Sequence, residues 1–234
     1  MTLLTIVQSA CNRVGLPAPT SVINNEDQTA KQMLAFANEA GEELKNVFDW
    51  QALRREATFT TVAAETQTTL SSIASDLDRI VPETVFDRTA RLPLFGPYPP
   101  AQWQKLKSTL VAAVRSVWTL RNNTILMHPT PAAGSTIALE YITTKWALAV
   151  DGTTGKTAFT VDTDTSIVGE ELTILSVIWR FKKAKGLDYD EDFRSYQYAL
   201  ARKQAQETPA QDLRLGSKRL TGIDPFIPDG NWGV

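Results

Sequence analysis

The stretch IVGEELTILSVIWRFKKAKGLDYDEDF (Ile167–Phe193) decides how this chain folds. Its first part carries Leu172, Ile174, Leu175, Val177, Ile178, Trp179 and Phe181, apolar nearly all the way round, the pattern of a helix buried on most of its sides. Lys182, Lys183 and Lys185 fall at the end of that run and Gly186 breaks it. Asp188, Asp190, Glu191 and Asp192 then open a further helix that extends to about Glu207. Cations beside the last carbonyls of one helix and anions beside the first amides of the next offset both macrodipoles, and glycine supplies the turn between them. The stretch predicts a helix hairpin whose first member needs cover from elsewhere.

That cover is predicted at the other end of the chain. Leu3, Ile6, Val7, Ala10, Cys11 and Val14 recur at helical spacing, with Thr2 placed to cap the start and Gly15 and Pro17 to stop it. A longer helix opens near Asp27 with the stripe Ala30, Met33, Leu34, Ala37, Ala40, Leu44, Val47 and Phe48. From Glu56 the texture becomes Thr-rich and β-branched. EATFTTVAAETQTTLS reads as two short strands about a tight connection, and RIVPETVFDR as another extended piece. VWTLRNNTILMHP reads as a hairpin turning at Asn122-Asn123, because asparagine tolerates positive φ. STIALEYITTKWALAV and KTAFTVDTD add two strands, and PPAQWQKLKS a short helix with Pro100 in its first turn. The fold class is therefore α+β. N- and C-terminal helix pairs (1–54 and 166–207) close one bundle, a β-rich domain (55–165) is inserted, and an extended tail (208–234) follows.

Composition narrows the function. With 43% apolar and 21% charged residues the chain is an ordinary globular sequence. A net charge of −2 argues against a dominant nucleic-acid-binding surface, which needs clustered cations. One cysteine, Cys11, excludes an intramolecular disulfide framework. There is no apolar run of the ~20 residues a membrane span needs, and MTLLTIVQSACNRVG lacks the basic start of a signal peptide, so the expectation is a soluble protein made in the cytosol.

The chemical motifs fail on their spacing. GTTGKT (Gly152–Thr157) has two residues between its glycines where a phosphate loop needs four, and a strand is predicted after it. DYDED (Asp188–Asp192) continues with Phe193 and Ala199 where a calcium loop wants Gly and Glu. His128 is the only histidine, and one His with one Cys builds no ordinary zinc site. No catalytic residue, metal ligand or cofactor is predicted. Of the six tryptophans, Trp50, Trp118, Trp146 and Trp179 read as core residues. Trp103, in a connector, and Trp232, in the tail, read as interface anchors. Phe95 and Tyr98 beside Trp103 join it as a candidate contact with a neighbouring subunit or a tail component.

The tail, QDLRLGSKRLTGIDPFIPDGNWGV (Gln211–Val234), has neither helical nor strand period, yet it is too apolar for a solvated segment. Leu213, Leu215, Leu220, Phe226, Ile227 and Trp232, with the cations Arg214, Lys218 and Arg219, predict a docking arm for a protein partner. Alternatively, the tail folds back on its own helices.

Several stretches, in order, resemble the head-to-tail adaptor (connector, or neck) proteins of short-tailed bacteriophages, the tail tubular protein A-like family. They are TLLTIVQSACNRVGLPAP, ALRREATFTTVAAETQTTL, SDLDRIVPETVFDRTARLPLFGPYPPAQWQKLK with its Asp-x-x-Arg-Ile and Gly-Pro turn, and IWRFKKAKGLDYDEDFRSYQYAL. The resemblance covers nearly the whole chain. It implies a structural virion protein, not an enzyme. Twelve copies would form a ring docked on the portal protein above a tail nozzle, with DNA passing non-specifically through the lumen and no membrane involved. A mildly acidic chain suits such a channel, since a basic lumen would hold phosphates. From the residues alone, a hydrolase using His128 and a small-ligand-binding module remain the alternatives.

Overall fold

The structure, a computed structural model, describes residues 1–108 and 116–207. It is α+β, with six α-helices and antiparallel sheets among those residues. Helix α1 spans Leu3–Val14. The Thr2 hydroxyl accepts from the Thr5 amide, and Gly15 ends the helix at φ 80°, where a side chain would be strained. Helix α2 spans Gln28–Val47 and begins at Asp27 as predicted, although the Asp27 side chain makes no capping bond. A short α3 (Leu70–Ile73) and α4 (Pro100–Ser108) lie within the β region, and α5 (Glu170–Ala184) and α6 (Asp190–Glu207) form the predicted pair.

Helix α5 touches α1, α2 and α6, which is why its sequence is apolar nearly all round. One buried cluster runs through all of them, including Leu3, Ile6, Met33, Leu44, Val177, Ile178 and Tyr196. The same cluster takes in Val81, Ile142, Trp146, Ala147 and Phe159 from the β region. Trp146 lies on Gly41 in the middle of α2, where an added Cβ would sit 2.3 Å from the indole ring. Its Nε1 donates to Glu42 Oε1 at 2.9 Å.

The main sheet is centred on β8 (Thr136–Thr143). One edge of β8 pairs with β1 (Arg54–Thr60), and the other pairs in turn with β3 (Leu77–Ile80) and β4 (Phe86–Asp87), which carries β5 (Leu92–Pro93). A second sheet joins β2 (Thr66–Thr69), β7 (Thr124–His128) and β6 (Val117–Arg121). The third is β10 (Gly155–Lys156), β9 (Ala147–Leu148) and β11 (Thr165–Ser166).

The predicted β6–β7 hairpin forms, with Asn122 and Asn123 at φ 48° and 61°. Three expectations need correction. Strands β1 and β2 are both present but do not pair: β8 offers β1 a seven-residue register, which the four-residue β2 could not match. KTAFTVDTD is strand only at its start, because Asp164 Oδ2 draws the amides of Thr160 and Val161 into a turn (2.7 and 2.9 Å). Helix α5 starts at Glu170, not Ile167, since Thr165–Ser166 pairs with β9 and Gly169 at φ 144° marks the entry.

Candidate functional site

The tail residues Leu213, Arg214, Leu215, Lys218, Arg219, Leu220, Phe226, Ile227 and Trp232 lie outside the described residues. The second predicted contact does not. Trp103 is 0% exposed and packs with Val117 and Leu126, with Phe95 and Tyr98 half-buried against them. The turn that carries them is sewn to β6 and its approach: the Phe95 amide donates to Ser116 O at 3.1 Å, the Trp118 amide to Phe95 O at 2.9 Å, and the Tyr98 amide to Trp118 O at 2.9 Å. Gly96, at φ 157°, is required there, since a Cβ would lie 2.4 Å from the Trp118 carbonyl. Trp103 is thus a core residue of its own subunit, not a surface anchor, because a connector helix over a sheet needs one large side chain to bury itself.

Among the described tryptophans the one not fully buried is Trp179. The other four are buried, whereas Trp179 is half-buried and packs against the main core. Phe193 and Tyr196 of α6 pack on one side of its ring, and Arg180 Cζ lies 4.5 Å from the ring centroid. It lines a shallow groove of about 340 Å³ between α2 and α5 with Phe36, Glu39, Arg180, Lys183 and Ala184. The helical period of α5 hid this, because the polar residues within the run, Thr173 and Ser176, are buried and do not mark the exposed side.

Beneath the groove, α2, α5 and α6 are tied by a buried polar network. Arg180, with 5% of its side chain exposed, donates to Glu43 and to Ser176, and the Tyr196 hydroxyl donates to Glu43 Oε1 at 3.1 Å. Burial raises the Tyr196 hydroxyl well above the ordinary tyrosine range, and the Glu43 carboxylate adds to the shift. Glu39 approaches Arg180 Nε at 3.3 Å without hydrogen-bond geometry.

The Asp-x-x-Arg-Ile stretch is a joint between the two halves of the fold. Arg79 on β3 donates to the carbonyls of Lys45 and Phe48 at the end of α2 (3.1 and 3.2 Å) and pairs with Asp49 at 2.8 Å. It therefore occupies the helix end where a cation is favoured. Asp76 accepts from Thr143 Oγ1 at 2.7 Å and Tyr141 Oη at 3.1 Å, fixing β8. Burial works to raise the Asp76 carboxyl, but these two hydroxyls outweigh it and hold the group below its usual range.

The motifs tested for chemistry have structural occupations. Lys156 of GTTGKT pairs with the buried Asp164 at 2.7 Å, and Asp151 organises the turn before it by accepting from the amides of Thr153 and Thr154. His128 sits edge-on to Trp103 at the end of β7. Lys182 pairs with Asp192 across the α5–α6 turn, so part of the DYDED cluster is taken up in holding the hairpin. Among the described residues no three His, Cys, Asp or Glu side chains group as metal ligands, and no helix is long and apolar enough to cross a membrane.

The family model described as SU10 adaptor protein matches residues 1–222. No curated protein matches the chain.

Proposed function

The chain belongs to the SU10 adaptor protein family, whose members are phage head-to-tail adaptors, and from that premise we propose that it builds a ring between portal and tail. As an adaptor it is a virion component that meets other head and tail proteins. We infer the rest. Twelve copies stand side by side with α1, α2, α5 and α6 as one upright bundle, the β region projects from it, and DNA threads the lumen without sequence readout. The portal docks at one end of the ring and the tail nozzle at the other. The role is structural, and no residue is assigned to catalysis.

The observation that carries this reading is the family match over nearly the whole chain, from α1 through α6 and into the first part of the tail. The pairing of Lys156 with Asp164 and of Lys182 with Asp192 fits a structural role for those groups. The tail is proposed as the portal-docking arm, with Leu215, Leu220, Phe226 and Trp232 as anchors and Arg214, Lys218 and Arg219 meeting polar or acidic groups. Each buried anchor contributes ~1.5–3 kcal/mol, and repetition around a ring multiplies the hold.

The test is solution mass and negative-stain imaging of the protein with and without its portal. Rings on the portal are expected, and a strict monomer that never binds portal overturns the reading. Truncation after Pro209 should abolish docking and leave the Tm unchanged. Docking that survives truncation while the Tm falls would place the tail on its own subunit instead.

A further inference from the structure

Two patches on opposite faces of the helical layer match one another. Helix α6 turns Phe193, Tyr196, Ala199 and Leu200 toward the core. At about 100° per residue, Glu191, Arg194 and Tyr198 share an arc of about 60° on the far side. All three are exposed, Tyr198 at 78%, and none makes an ion pair or side-chain hydrogen bond within the described residues. Tyrosine is among the side chains enriched at interface hot spots.

The second patch is the groove between α2 and α5. Its floor is aromatic, from Phe36 and Trp179, and its walls carry Glu39 and Lys183. Lys183 has no carboxylate partner among the described residues and lies 5.6 Å from the centroid of the Trp179 ring. Glu39 is 62% exposed and approaches Arg180, which already has Glu43. The groove thus offers an aromatic slot beside a cation and an anion whose side chains make no hydrogen bond among the described residues. On the outer stripe of α6 an anion and a cation, Glu191 and Arg194, precede the aromatic.

We propose that the outer stripe of α6 in one copy seats in the α2–α5 groove of the next, which deepens the ring reading and rests on it. Tyr198 fills the slot against Phe36 and Trp179, Glu191 meets Lys183, and Arg194 meets Glu39. The two patches differ, so every copy uses both. Such a head-to-tail contact closes into a ring when its rotation divides the circle. Charge pairs at the rim of an aromatic anchor set register and partner choice more than affinity, which is what a ring of fixed size requires.

The test is a charge exchange read by solution mass under conditions in which the unaltered protein forms rings. Lys183→Glu alone and Glu191→Lys alone should each weaken assembly about tenfold or more, well beyond the small Tm loss expected from reversing a charge at a helix end. Combining the two in one chain should restore rings, and so should mixing the two single variants, because the altered groove then meets the altered stripe. Tyr198→Ala should weaken assembly without rescue by either exchange. Rings of normal mass and stability from both single variants overturn the contact. So do defective singles that neither mixing nor combination restores, a result that assigns the groove to another partner such as the portal. If the unaltered protein forms no ring alone or on its portal, the ring reading fails first and this contact with it.

Discussion

Gly41 shows how one position can set a packing arrangement. A glycine inside a helix costs about 1 kcal/mol relative to alanine, so Gly41→Ala would stabilise an isolated α2. Here the added methyl would lie 2.3 Å from the Trp146 ring, and that ring is itself 1% exposed and pinned by Glu42. Overpacking a filled core costs about 1–3 kcal/mol, which exceeds the propensity gain. Thermal denaturation should therefore show Gly41→Ala lowering the Tm by several degrees, and Gly41→Ala with Trp146→Phe recovering part of the loss. A raised Tm for the single variant would mean that Trp146 packs elsewhere. Nothing in the sequence pointed from Gly41 to Trp146, since the pair is far apart in the chain and a mid-helix glycine has no periodic signature. The tryptophans teach the same point. Their number was readable, but a residue's depth is set by what the topology lays over it. The connector helix puts Trp103 inside, and the edge of α5 leaves Trp179 half outside.

At the scale of elements, the helices were readable and the short strands were not. Leu3–Val14 carries its own start and stop, with the Thr2 cap and Gly15, so periodicity located it correctly. Strand pairing depends on long-range choices, which is why β1 and β2 were placed side by side and found in different sheets. The loop after β10 illustrates what local pattern cannot show. Its Asp162 and Asp164 carbonyls accept from the first amides of α1 (Leu4 at 3.1 Å and Leu3 at 2.7 Å), closing a helix end from the distant β region. Asp164 holds that loop. Burial alone would raise its carboxyl, but the Lys156 ammonium and the amides of Thr160 and Val161 outweigh it, so the group is held below its ordinary value of 3.8. A folded-state value below the unfolded one means the stabilisation is present above about pH 4 and lost as pH falls through the folded value. Stability should therefore drop on acidification below about pH 4. Asp164→Asn should lower the Tm at pH 7 and flatten that acid limb, as read by melts across pH 3–7; an acid limb unchanged in the variant would assign it to other carboxylates. Arg79→Ala acts at the C-terminal end of α2. Losing its two carbonyl contacts and the Asp49 pair should cost about 1–2 kcal/mol, within the range for charged hydrogen bonds and caps, with hydrogen exchange fastest in the last turn of α2.

The whole molecule is more unified than its sequence suggests. The change of texture near Glu56 and the return to helix near Ile167 invite a division into a bundle and a separate β domain. The buried cluster crosses both boundaries: Val81, Ile142, Trp146, Ala147 and Phe159 belong to the same core as α1, α2 and α5. Arg79, and the Asp162 and Asp164 carbonyls that accept from the start of α1, add polar ties across the same seam. A fragment covering 55–165 would expose this apolar set, and each large side chain returned to water forfeits ~1.5–3 kcal/mol against a typical domain stability of only 5–15 kcal/mol. The full chain should therefore melt in one cooperative transition, with calorimetric and van't Hoff enthalpies in agreement. The fragment 55–165 should lack dispersed amide resonances when expressed alone. Two separated transitions, or a folded fragment, would show that the β region is an independent domain. A single cooperative unit suits an adaptor between head and tail components, because force on either end then meets the stability of the whole subunit and not that of its weaker half.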